Sequence, residues 1–229
     1  LAEMGVPVVH DLPGVGSDLQ DHYSAAIKLK CALPITVNDV MQSSVRKVRT
    51  GLEYLLFRKG ALTVITAEVA LFARTRPELA TPDVKFSIAT FSADRPQDGL
   101  HPWSGFTLLV YQLRPESRGE IRLKSPRAED APAMRPNYLA TETDRRTIVA
   151  GLQMGRSLLA SPHMQRFITA EYLPGPEVRD EAGLLEHARR TGGTVFHPTS
   201  TCRMGSDPRA VVDAELRVHG VEGLRVVDA

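Results

Sequence analysis

A histidine followed at once by a proline constrains this chain more than any other local feature. In residues 197–205, HPTSTCRMG, Pro198 pushes the residue before it toward extended backbone, so His197 belongs to a turn and not to a helix. Gly192 and Gly193 interrupt the chain just upstream. The residue type suits a general base, because the imidazole titrates near neutrality and can take a hydroxyl proton. A hydrogen-bonded loop histidine is the plainer alternative.

Composition narrows the partners. The 229 residues carry 28 basic and 27 acidic side chains, a net charge of +1, and no basic run that would track a phosphate backbone, so nucleic acid is not an expected partner. Cys31 and Cys202 make neither a disulfide framework nor a metal-ligand spacing, which fits a reducing compartment. No apolar run approaches the roughly 20 residues that a membrane-spanning helix needs.

Periodicity places the elements. Apolar residues at Met41, Val45, Val48, Leu52, Leu55 and Leu56 form a helical stripe, with Asn38 or Asp39 as cap, Gly60 as stop, and Arg46, Lys47 and Arg49 turned away as a solvated face. Residues 84–88 alternate like a half-buried strand, and the nearly all-apolar 106–113 reads as a second. Ile121 and Leu123 mark a third, expected to pair with the second as a hairpin across 114–119. Residues 6–9 suit a strand running into a Gly/Pro loop, and 215–221 and 223–228 are β-type runs. Thr141 to Asp144 has capping-box spacing ahead of a helix carrying Ile148, Leu152, Gly155 and Leu159 on one face. Ser161-Pro162 opens a short helix, and residues 178–190 form another that ends before Gly192. Trp103, in a loop, reads as a packing anchor.

The motifs resemble those of the glucose-methanol-choline oxidoreductases, most closely the choline dehydrogenase-like branch. The resemblance rests on HPTSTCRMG, on LRVHGVEGLRVVDA at 216–229, on GVGSDLQDH at 14–22, on QLRPESRGEIRL at 112–123 and on PNYL at 136–139. It implies an α+β fold, a mostly antiparallel sheet with helices on one side, flanked by remnants of an FAD-binding α/β domain. Residues 1–22 and 196–229 would belong to the flavin-binding part and residues 23–195 to a substrate-binding domain. Gly14-Val15-Gly16-Ser17-Asp18-Leu19 lacks the third glycine of a pyrophosphate-binding turn. With a first residue Leu1 and an end at Ala229 just after an apolar run, the expectation is an internal and C-terminal portion of a larger enzyme.

The resemblance also implies the chemistry. FAD would accept a hydride from the CH–OH group of a primary alcohol, choline-like or aliphatic, and His197 would accept the proton. Asp228, Ala229, Pro198 and Asp18 would contact the cofactor; the family often has asparagine where Asp18 stands, and glycine where Ser200 stands. Asp21 and His22 read either as a turn or cap or as part of the site. Glu68 reads as a surface glutamate, or as a carboxylate facing a cationic substrate. The electron acceptor would be a quinone, another acceptor or dioxygen, and the location cytoplasmic or peripheral to the inner membrane. Without a Gly-rich FAD turn, the 229 residues alone are expected to be inactive unless a complementing FAD-domain segment joins them. The alternative is a catalytically inactive flavoprotein-like domain or a partner-binding subunit. A hydrolase reading fares worse, since there is no G-x-S-x-G elbow and Ser200, three residues from His197 on a Pro-containing turn, is not the spatial pairing that activates a nucleophile.

Overall fold

The computed structural model describes residues 1–63, 69–95 and 98–227. They divide into two compact units: Leu1–Tyr23 with Pro115–Asp144 and Thr194–Ala229, and Ser24–Arg114 with Arg145–Gly193. The stretch 23–195 is thus not one contiguous unit, because 115–144 is packed with the chain's two terminal segments.

The second unit is built on an antiparallel sheet. Its strands are β1 (Tyr23–Cys31), β2 (Val69–Ala73), β3 (Val84–Ala89), β4 (Gly105–Gln112) and β7 (Ile168–Leu173), in the order β2-β3-β4-β1-β7. Alternation explains the centre: Ala25, Ile27 and Leu29 of β1 are buried. The helix α3 (Glu142–Leu159) lies along this face, burying Ile148, Leu152 and Leu159. Gly151 and Gly155 let it approach, since a Cβ on Gly151 would stand 2.7 Å from Val110 Cγ1 and one on Gly155 3.1 Å from Leu108 Cδ2. Arg156 ties α3 to β7, donating to both Glu171 oxygens and to the carbonyls of Gly175 and Val178. Mixed helices and an antiparallel sheet make this the expected α+β class.

Several expectations are corrected. The strand at Ile121, β5 (Glu120–Arg122), pairs not with β4 but with β6 (Ala133–Arg135). The proposed hairpin fails because both edges of β4 are taken, by β1 and by β3. Residues 6–9 form no strand, and the runs beyond 215 make only single bridges, Val212 with Val218 and Arg217 with Arg225. The helical stripe is split into α1 (Val37–Met41) and α2 (Ser44–Phe57). Ser43 caps α2, accepting from Arg46 N–H, while the fully buried Asn38 side chain instead bonds the backbone of Ser92 and the carbonyl of His101. On α2 the apolar residues Val45, Val48, Leu52, Leu55 and Leu56 are exposed. The two short later helices are α4 (Pro162–Gln165) and α5 (Glu181–Thr191), capped by Asp180. Among the described residues no helix is long and apolar enough to cross a membrane.

In the first unit, Val211, Val212 and Val218 form a small core with Leu12, Cys202, Leu216, Val221 and Val226 around it. Residues 14–22 thread between partner strands of backbone: Gly16 N–H donates to Thr201 O, Leu19 and Gly119 exchange two hydrogen bonds, and Ile121 N–H donates to Gly16 O.

Candidate functional site

His197 stands on the first unit's surface at the end of a tightly specified turn. Phe196, just before it, is in the left-handed region at φ 61° and is 83% exposed. A phenylalanine rarely adopts that backbone, and here the Thr194 hydroxyl supports it by accepting Phe196 N–H at 2.8 Å. Beyond Pro198, Thr199 and Gln20 exchange backbone hydrogen bonds of 2.7 and 3.1 Å. The His197 side chain is exposed, and among the described residues its ring nitrogens have no hydrogen-bond partner. The edge of one imidazole meets the other where His22 approaches it, ring centres 5.6 Å apart.

Asp21 lies beneath this turn with only 8% exposure. Its Oδ1 accepts the backbone N–H of His197 at 3.0 Å. Its Oδ2 accepts the hydroxyls of Tyr138, at 2.5 Å, and of Thr194. Burial and the proton-accepting Asp21 carboxylate push the Tyr138 phenol up to about 12, so it remains a donor at any ordinary pH. Tyr138 lies in PNYL and Asp21 in LQDH, so the motifs contained both; neither Tyr138 nor Thr194 was among the candidate residues.

Asp18 is placed differently from a free cofactor ligand. At φ 59°, its carboxylate accepts from Arg203 Nε at 3.4 Å and from Arg209 at 3.3 Å. Arg203 in turn grips Asp207 with two bonds of 2.7 and 2.6 Å, which hold the Asp207 carboxyl far below its usual range. Pro198 is exposed beside His197. Ser200 occupies the left-handed region at φ 77°, with its hydroxyl 3.1 Å from that of Thr199. Asp228, Ala229 and Glu68 lie outside the described residues. Among the described residues no cluster of His, Cys, Asp and Glu is arranged for a metal ion.

An exposed imidazole with no hydrogen-bond partner on its ring nitrogens among the described residues, on backbone fixed from both sides, has the chemistry for proton exchange with a bound molecule. Residues 115–229 match the GMC oxidoreductase family. This chain belongs to that family. Over its whole length it is 39% identical to an alcohol dehydrogenase [acceptor] of Pseudomonas putida, of which it covers 42%, and 36% identical to an oxygen-dependent choline dehydrogenase of Klebsiella pneumoniae, of which it covers 41%. A pyridoxine 4-oxidase from Mesorbium loti superposes with a TM-score of 0.80 at 27% identity, covering all of this chain and 41% of the oxidase. An Aspergillus oryzae formate oxidase variant gives a TM-score of 0.88 at 21% identity, over 98% of this chain and 44% of that one, a likeness of fold alone. The chain therefore spans about two fifths of the length of these GMC relatives.

Proposed function

We propose that the chain is the proton-accepting and alcohol-facing part of an FAD-dependent oxidoreductase acting on the CH–OH group of a primary alcohol, choline-like or aliphatic. The observation that carries this reading is His197: exposed, unpartnered at both ring nitrogens, and held by Asp21 and the Gln20–Thr199 bridge. When bound, FAD supplies the hydride acceptor. His197 takes the hydroxyl proton as the C–H bond gives up its hydride, so the alcohol oxygen need never carry a full positive charge. Pro198 restricts the backbone directly after the base, which limits the positions its ring can occupy.

Asp18, Asp228, Ala229 and Pro198 remain proposed cofactor contacts, with Asp18 the weakest because both its oxygens already accept from arginine. The names of these relatives, an alcohol dehydrogenase [acceptor] and an oxygen-dependent choline dehydrogenase, support either dioxygen or another electron acceptor, for which a quinone is proposed. Peroxide release separates the two.

No Gly-x-Gly-x-x-Gly turn occurs in the 229 residues, so the chain is proposed to need a complementing FAD-domain segment. The test is a flavin absorbance spectrum after incubation with FAD and desalting, with and without a co-expressed segment carrying that turn. Turnover of primary alcohols with an artificial acceptor follows. Retained flavin and turnover only in the complemented protein, lost in His197→Ala, is the expected result. Turnover unchanged by His197→Ala would remove the assignment.

A further inference from the structure

We infer that Asp21 is the positioning residue of the His197 imidazole, acting through the peptide N–H of His197. The inference rests on the proposed role of His197 as proton acceptor. One buried carboxylate gathers three donors from two separate segments: the Tyr138 phenol from one, and the Thr194 hydroxyl and the His197 amide from the turn 194–197. Thr194 passes the constraint on, since the same oxygen that donates to Asp21 accepts the N–H of Phe196. Phe196 is thereby kept at φ 61°, the conformation that turns the next amide onto Asp21 Oδ1.

The adjacent residue completes the clamp. Gln20 bridges Thr199 through two backbone hydrogen bonds, so residues 20 and 21 together grip the chain on both sides of His197. The Gln20 side chain is itself tied down, donating to Pro115 O at 2.7 Å. The ring stays exposed while the backbone from which it springs is fixed on both sides, and its one described ring contact is His22, 5.6 Å away between centres. A base is effective when its nitrogen meets the substrate proton at hydrogen-bond distance, and small displacements are costly.

A carboxylate is suited to this task because it offers acceptor lone pairs to all three donors at once. Asparagine at the same place keeps one carbonyl for the His197 amide but presents N–H groups where two hydroxyls now donate. Those hydroxyls can rotate to accept, so Asp21→Asn is expected to fold while its clamp loosens. Asp21→Glu restores the charge with the oxygens displaced by one methylene.

The experiment has two arms. In the complemented enzyme, Asp21→Asn is expected to lower kcat about ten- to a hundredfold with KM within about twofold, as for an interaction that matters at the transition state. Asp21→Glu recovers part of the loss. In the 229-residue chain, 15N–1H spectra should show the His197 amide moving upfield in Asp21→Asn while the amides of Val211 and Val212 stay in place. Thr194→Val, which removes the support of Phe196, should shift the same amide should Asp21 variants fail to fold. A kcat unchanged in Asp21→Asn, or an unmoved His197 amide in the folded variant, overturns the inference. His197→Ala separates the two readings: if it leaves turnover intact the assignment of the base falls, and if it abolishes turnover while Asp21→Asn leaves kcat unchanged, only the clamp falls.

Discussion

A Cβ built on Gly14 would lie 2.0 Å from the carbonyl oxygen of Arg209, and Val211 Cγ2 stands 3.1 Å from the same point. The glycine in GVGSDLQDH is therefore explained by the backbone of the 207–211 turn running directly against it. Neither neighbour is a flexible side-chain end that would swing aside. Gly14→Ala should destabilise the first unit by about 2–4 kcal/mol, in the range of overpacking that forces backbone apart. Gly51 in α2 has nothing within 4 Å of its would-be Cβ, so Gly51→Ala should instead stabilise by up to about 1 kcal/mol. Urea unfolding midpoints of the two variants read the contrast.

Ser200 sits at φ 77°, where a Cβ is strained and glycine is not. Its one described side-chain partner is the Thr199 hydroxyl, and both residues are partly exposed, so water replaces that bond on substitution. Ser200→Gly should raise stability by about 0.5–1 kcal/mol, less whatever the flexible glycine gains in the unfolded chain. A lower melting temperature would show that the Thr199–Ser200 hydroxyl pair outweighs the backbone strain.

The elements legible in the sequence were those whose burial follows a local period. Val84, Phe86 and the buried positions of α3 announce themselves in this way. β1 alternates too, but Lys28 and Ser87 are buried on the sheet's other side, which blurs the polar-out pattern that marks a strand. Lys28 accepts the desolvation because its ammonium donates to the Asp94 carbonyl, and burial lowers its pKa. Periodicity also predicted a helix near α2 without saying what covers its stripe, and Val45 and Leu56 are exposed. That His197 lies on a turn and not in a helix was legible from the proline after it. The role of Asp21 was not, because its partners stand 117, 173 and 176 residues away in the chain, and no spacing rule reaches that far.

Asp39 gives the second unit a measurable pH dependence. Desolvation raises its pKa, but hydrogen bonds from the Thr36 hydroxyl, the Ser104 hydroxyl and the Thr36 amide, with Arg46 3.8 Å away, more than offset that and hold it below the ordinary carboxylate value. Because the folded state binds this proton less tightly than the unfolded chain, the stabilisation is complete above the unfolded pKa, near 4, and is lost as pH falls through the folded value. Asp39→Asn should cost about 1–2 kcal/mol at pH 7. The gap between variant and parent should close on acidification. A gap that persists unchanged at pH 2 would mean that the loss is steric.

Asp18→Asn decides whether that carboxylate serves the fold or a cofactor. Its ion pairs with Arg203 and Arg209 are partly exposed, and pairs of this kind are worth about 0–1 kcal/mol. Arg203 keeps its two-pronged grip on Asp207 when Asp18 is neutralised. The backbone at φ 59° favours asparagine at least as well as aspartate, since a short amide side chain is among the few tolerated there. These terms oppose each other, and the unfolding midpoint should move by less than about 0.5 kcal/mol. Flavin retention in the complemented protein is the second readout. Retention equal to the parent would confine Asp18 to holding Arg203 and Arg209 over the 14–22 loop, whereas loss of the flavin band at unchanged stability would assign its carboxylate to the cofactor.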